Sequence, residues 1–193
     1  MITGRYSVHE WKNVSFEFYG SIPIAFQVES VYELCDDPLD SLDVTFKLSP
    51  VGKTYTKQYD LPDNRPCDWP KQWDLTNWGF MAASDGKTII GCAAIAWKTP
   101  ALDMLENRDD IAVLWDLRVA PKYRRHGVGK ALFHAAKRWS SDRNVRIMKI
   151  ETQSNNVPAC RFYEAHGCRI YAIKKDAYPK FPDEIQLLWK IDL

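Results

Sequence analysis

The sequence predicts a mixed α/β fold, and three observations predict it. From Trp78 onward, apolar strand-like runs are interrupted by only two helical patterns. The run IAVLWDLRV (111–119) is almost continuously apolar, as a central strand buried on both faces should be. The order that results, β-β-β-α-β-α-β-β, lacks the strict alternation of a regular doubly wound sheet. A chain of 193 residues, 46% hydrophobic and 26% charged, is long and apolar enough to bury a core of this kind.

The N-terminal third is the least regular part. VSFEFYG (14–20) and LDVTFKL (42–48) read as strands, while AFQVESVYELC (25–35) fits a helix or a strand. The stretch 49–77 is rich in Pro, Asp and Asn and reads as surface chain. Within it TYTKQYD (54–60) alternates as a half-exposed strand, with Tyr55 and Lys57 on one face and Thr54, Thr56 and Gln58 on the other. GFMAAS and TIIGCAAIAW then form two strands joined by a turn at Asp85-Gly86. After the strand 111–119, Val128, Leu132, Ala135 and Trp139 recur at helical spacing within GVGKALFHAAKRWSSD, with Gly127 and Gly129 at its mouth. RIMKIETQ (146–153) is a strand. A second helix starts with Asn156 as N-cap and Pro158 in the first turn, and stops at Gly167. CRIYAIKK and EIQLLWKI close the sheet.

Composition excludes several classes. Twenty-six Lys and Arg against 25 Asp and Glu leave net +1, which argues against a nucleic-acid binder. The charge is nonetheless split: residues 1–110 carry −7 and residues 111–193 carry +8. Five cysteines without CxxC spacing and four scattered histidines give no metal site. MITGRYSVHEWKN holds no apolar run of the kind a signal peptide needs, and the longest apolar stretch, Ile89 to Trp97, is too short to span a membrane. A cytoplasmic protein with reduced thiols and no membrane partner is expected.

The strongest chemical signal is VAPKYRRHGVGKAL (119–132), directly after a strand. A helix N-terminus offers unpaired N–H groups and a positive dipole end, and its glycines let a phosphate approach the backbone. Arg124, Arg125 and Lys130 add charge. Ala131 follows Gly129-Lys130 where a P-loop needs Ser or Thr, and Leu132 stands where a dinucleotide fingerprint needs its third Gly. What remains is a pyrophosphate site of another type, or a tight turn with a solvated basic face.

Arg124-x-x-Gly127-x-Gly129 resembles the acyl-CoA-binding motif of the GNAT superfamily of N-acetyltransferases. Asn156-x-x-Ala159-x-x-Phe162-Tyr163 followed by Gly167 resembles that family's second signature. The resemblance covers residues 78–193. Within the superfamily, DLRVAPKYRRHGVGKAL, KIETQSNNVPACRFY and FPDEIQLLW are similar to streptothricin acetyltransferases, which acetylate the β-lysine amine of a cationic antibiotic. Arg125 and Arg118 depart from the family pattern, being large where smaller or apolar residues are common. The implied organisation is one domain over 1–193, with a variable part (1–77) and an acetyl-CoA-binding core (78–193).

The resemblance implies a GNAT-like fold whose central sheet splays between the strand of Trp115–Val119 and that of Lys149–Gln153. Acetyl-CoA, the co-substrate, would pair its pantetheine arm with the backbone of Leu117, Arg118 and Val119. Its pyrophosphate would sit on the N–H groups of Arg124, Arg125, His126, Gly127, Val128, Gly129 and Lys130. Asn156, Ala159, Phe162 and Tyr163 complete the implied cofactor set. Tyr163 matches the position that protonates the departing thiolate, and a phenol of pKa about 10 suits that task; a core tyrosine is the competing reading.

The acceptor amine must lose a proton, and Asp116 and Glu151 are the candidate bases. Asp116 comes first, because a charge inside an apolar central strand needs a reason. An ion pair with Arg118 or Lys149 is the alternative for either. Trp115, Asp116, Glu151, Asp183 and Glu184 are candidate acceptor contacts; Trp189 is a weaker one, and the acidic pair could equally be a solvated turn. Cys160 reads as packing. The expected partner is a small cationic amine, with homodimerisation expected only by analogy. A protein or peptide amine, or a CoA-binding module without catalysis, are the rival readings.

Overall fold

The computed structural model describes residues 6–35, 45–62 and 64–193. Its elements run β1 (Tyr6–Glu10), α1 (Phe16–Ser21), β2 (Phe26–Leu34), β3 (Phe46–Lys57), α2 (Trp69–Gln72), β4 (Gly79–Asp85), β5 (Thr88–Trp97), β6 (Ile111–Val119), α3 (Val128–Ser141), β7 (Ile147–Gln153), α4 (Val157–Ala165), β8 (Arg169–Lys174) and β9 (Gln186–Asp192). The chain divides into two compact units. The first comprises residues 1–24, 58–148 and 192–193; the second comprises 25–57 and 149–191.

In the first unit the strands lie in the order β1-β4-β5-β6, all neighbours antiparallel. The β4–β5 hairpin turns at Gly86, whose φ of +62° is the left-handed conformation that the Asp-Gly pair anticipates. Helix α3 packs across β1, β4, β5 and β6. Val128, Leu132, Ala135 and Trp139 are buried as their spacing requires, and so are Phe133 and Ala136. Gly79 allows the close approach: a Cβ there would lie 2.4 Å from the Trp139 ring. The Trp139 indole N–H donates to Glu10 Oε1 at 3.0 Å, tying α3 to β1.

Residues 14–20 depart from the expected strand: Phe16–Ser21 is a helix. The Ser15 hydroxyl caps it by accepting the Phe18 N–H. Phe16 and Tyr19, three apart, meet the rings of Trp69 and Phe80. Alternating Val14, Phe16 and Phe18 imitate a strand, but aromatic burial three residues apart decides for the helix. The stretch 49–77 is not wholly surface chain either: residues 49–57 belong to β3, and Trp69 is buried.

In the second unit β2 and β3 pair antiparallel, which resolves Phe26–Leu34 of the stretch 25–35 as strand. Of LDVTFKL, residues 42–44 lie outside the described residues. Strands β7, β9 and β8 are adjacent in that order, with β8 and β9 antiparallel, and α4 packs on β2. Asn156 caps α4 as expected, its Oδ1 accepting the Ala159 N–H at 3.2 Å, and Gly167 follows the helix at φ +84°. Among the described residues no helix is long and apolar enough to cross a membrane.

Candidate active site

The register of β5 against β6 slips at one point. Ala94 pairs with Asp116 and Ile95 with Leu114, so Trp115 is an extra residue, a β-bulge. Strict alternation would send Trp115 and Asp116 to opposite faces. The bulge instead turns both toward the same aromatic cluster. Trp115 meets the rings of Trp73 and Trp78 at 5.7 and 5.5 Å, while Asp116 meets Tyr19 of that cluster.

Asp116 is buried, and both its oxygens are engaged. Oδ1 accepts from the Tyr19 hydroxyl and from Arg118 Nε, each at 2.9 Å; Oδ2 accepts from Arg118 Nη2 at 2.6 Å. Arg118, two residues on and so on the same face, also donates to Asp60 at 3.0 and 3.1 Å and to the Ile22 carbonyl at 3.2 Å. Burial works against its charge, but Asp116 outweighs that and holds the guanidinium above its usual pKa. Burial, then the Asp116 charge, push the Tyr19 phenol and the Cys92 thiol well above their usual values. The ion-pair alternative for Asp116 is therefore realised, with Arg118 as partner.

The basic loop follows. Arg125 takes φ +64° and Gly127 φ +83° before α3 begins, and residues 125–127 are exposed. A Cβ on Gly127 would lie 3.1 Å from the Tyr6 hydroxyl. Gly127 supplies no side-chain cap, whereas Ser15 and Asn156 cap α1 and α4. The first helix-type bond at this end is Ala131 N–H to the Gly127 carbonyl, so the preceding amides of the turn look outward. These features fit a phosphate-bearing group. The Arg124 side chain is committed elsewhere: Nε donates to the Val119 carbonyl at 2.9 Å and Nη2 to the Pro23 carbonyl at 2.7 Å. His126 Nδ1 lies 2.7 Å from the Arg124 carbonyl oxygen.

In the second unit Tyr163 is buried on α4, its ring edge-to-face with Phe162. Cys160, on the same helix, faces Thr152; burial pushes its thiol up to about 11, which suits packing rather than nucleophilic attack. Glu151 is half-buried, and its Oε1 accepts from the Tyr178 hydroxyl at 2.5 Å and from Gln153 Nε2 at 3.2 Å. Glu184 pairs with Lys57, whose ammonium also lies 3.6 Å from the Phe181 ring centroid. Asp183 is exposed. The Trp189 indole donates to Thr152 in the core at 2.7 Å. Tyr19, Asp60, Lys57, Gln153 and Tyr178 carry these networks without a motif that singles them out. The nearest signal is the pair of aromatics, Tyr178 and Phe181, inside the loop AYPKFPDE.

The fold and the outward-facing glycine-rich helix mouth are those of an acyl-CoA N-acyltransferase. The chain belongs to the acetyltransferase (GNAT) family, whose family model matches residues 48–168. Streptothricin acetyltransferase A of Bacillus subtilis (strain 168) is 38% identical over 85 residues, 43% of this chain and 49% of that protein. The streptothricin acetyltransferase of Escherichia coli is 32% identical over 84 residues, 42% of this chain and 48% of that protein. The chain thus spans about half the length of these curated relatives. A protein described as a streptothricin acetyltransferase of Bacillus anthracis str. Ames, solved in complex with acetyl coenzyme A, superposes with a TM-score of 0.77 at 25% identity, over 98% of this chain and all of that one. A nourseothricin acetyltransferase shares the fold, with a TM-score of 0.74 at 18% identity over 97% and 98% of the chains.

Proposed function

We propose that the chain transfers the acetyl group of acetyl-CoA to a primary amine of a small cationic acceptor, a streptothricin-type antibiotic, and so confers resistance to it. It would work in the cytoplasm, where that thioester is available. One observation carries the reading: the uncapped start of α3, opened by Gly127 at positive φ beneath an exposed basic loop. Bound there, acetyl-CoA supplies an activated acyl carbon and a thiolate leaving group. The amides of residues 125–130 hold its pyrophosphate, with Arg125 and Lys130 adding charge; the Arg124 amide is not among them, since it donates to the Pro121 carbonyl. Arg124 shapes the loop through Val119 and Pro23. Backbone N–H groups at Leu117–Val119 would pair with the pantetheine arm and steady the carbonyl oxygen as charge develops on it. Tyr163 gives its proton to the departing sulfur.

For the acceptor's proton we favour Glu151 over Asp116. The Asp116 carboxylate is saturated by Tyr19 and Arg118, so protonating it would break a buried ion pair. Glu151 Oε2 has no partner among the described residues. Trp115 and Asp183 remain candidate acceptor contacts. Glu184 would first have to leave Lys57.

The test is thiol release from acetyl-CoA in the presence of streptothricin. Tyr163→Phe should lower kcat by roughly 10²-fold or more at unchanged acetyl-CoA affinity. Absence of acetyl-CoA binding by calorimetry would overturn the reading. A second reading, acetylation of a protein N-terminal amine, draws on 25% identity over 80 residues to a protein described as a [ribosomal protein bS18]-alanine N-acetyltransferase of Bacillus subtilis (strain 168). Thiol release with an alanine-ended peptide but not with streptothricin would favour it.

A further inference from the structure

The geometry points to Tyr178 as a positioning residue that fixes Glu151 for proton abstraction. The inference rests on the acetyl-transfer reading with Glu151 as the base. A phenol hydroxyl has one proton to give and two lone pairs to fill. In the second unit the proton and one lone pair are used. Gln153 Nε2 donates to Tyr178 Oη at 2.7 Å, and Oη itself lies 2.5 Å from Glu151 Oε1. An amide nitrogen only donates, so the Gln153 bond fixes the direction of the next one: the phenol proton points at the carboxylate.

Gln153 also reaches Glu151 Oε1 directly at 3.2 Å. The two residues stand at alternate positions of β7 and share a face. Oε1 is thus pinned by two donors, while Oε2 is left to face an incoming proton. Tyr178 keeps its own proton throughout, because burial and the adjoining carboxylate push its pKa well up. It therefore orients the base without competing as an acid. Its position outside regular structure, between β8 and β9, explains why no strand or helix pattern marks it.

The experiment is a double-mutant cycle on the full chain, with acetyl-CoA and streptothricin as probes. Tyr178→Phe keeps the ring and deletes the proton. It should lower kcat roughly tenfold, the rate equivalent of one hydrogen bond to a charged group, with KM for acetyl-CoA unchanged. Glu151→Gln should lower kcat by roughly 10²-fold, and Tyr178→Phe should add nothing in that background. Gln153→Met should move kcat in the same direction as Tyr178→Phe, which provides the measurement if the tyrosine variant does not fold. Wild-type kcat in Tyr178→Phe and Gln153→Met alongside a slow Glu151→Gln overturns this inference alone. So does a loss from Tyr178→Phe that multiplies that of Glu151→Gln. Wild-type kcat in Glu151→Gln overturns the assignment of the base, and this inference with it.

Discussion

Replacing Arg118 with Met keeps most of the side-chain volume and removes the only cation bonded to Asp116 among the described residues. It also strips Asp60 of both its guanidinium bonds. Side chains 1% and 6% exposed leave Asp116 little access to water, and only the Tyr19 hydroxyl would still reach it. Breaking a buried pair from one side costs about 3–5 kcal/mol, because a charge stays behind without compensation. For a chain of 193 residues each kcal/mol moves Tm by about 2–4 °C, so Arg118→Met should melt about 10 °C lower. Thermal unfolding followed by circular dichroism, with urea titration as a check, reads this directly. Adding Asp116→Asn should recover part of the loss, since the stranded charge disappears while Tyr19 keeps an acceptor. The Tm difference should persist in 1 M salt, because a buried pair is poorly screened. A loss below about 1 kcal/mol, or a double variant that simply adds the two losses, would refute the argument that this cluster is a buried, mutually dependent unit.

Gly127→Ala should raise the KM for acetyl-CoA severalfold, as a side chain at φ +83° meets the Tyr6 hydroxyl and distorts the mouth of α3; steady-state kinetics checks it. Gly79→Ala should cost about 1–3 kcal/mol without changing kcat, because its methyl collides with Trp139; urea denaturation measures the difference. A thiol reagent at neutral pH should modify two cysteines, Cys35 and Cys67, in the folded protein and all five in denaturant, since Cys92, Cys160 and Cys168 are buried. Lys71 lowers the pKa of Asp68, the bonds from Thr76 lower that of Asp74, and Arg108 lowers that of Asp110. A folded-state value below the unfolded one gives stability that is present above the ordinary carboxylate pKa of 3.8 and lost as pH falls through the lower one. Tm should therefore decline on acidification into that range.

What was legible in the sequence follows the reach of the interactions. The α3 stripe, the Asp-Gly turn and the Asn156 cap are local patterns, and each lies where spacing put it. Helix α1 escapes the sequence pattern because its six residues carry too little periodicity, and the rings that meet Phe16, those of Trp69 and Phe80, lie more than fifty residues away. Arg118 stands out as a large cation where the resembled family keeps small or apolar residues, but Asp60 and the Ile22 carbonyl come from distant segments that no spacing reveals. Asp116 comes first as a base because it is a charge inside an apolar strand, and the structure gives that charge a partner instead. Glu151 and Tyr178 are separated by 27 positions, and only folding brings the phenol to the carboxylate.

The single extra residue at Trp115 makes the length of β6 matter as much as its composition. Substitutions along Ile111–Leu114 change one side chain at a time, but deleting one residue there would restore plain alternation and exchange the inward and outward faces of everything before it. Ala112 and Val113 would trade places relative to the aromatic cluster, and Trp115 would leave the side it shares with Asp116. Insertions and deletions in this strand should thus be far rarer among functional variants than replacements, a constraint on the spacing of the gene's codons rather than on their meaning.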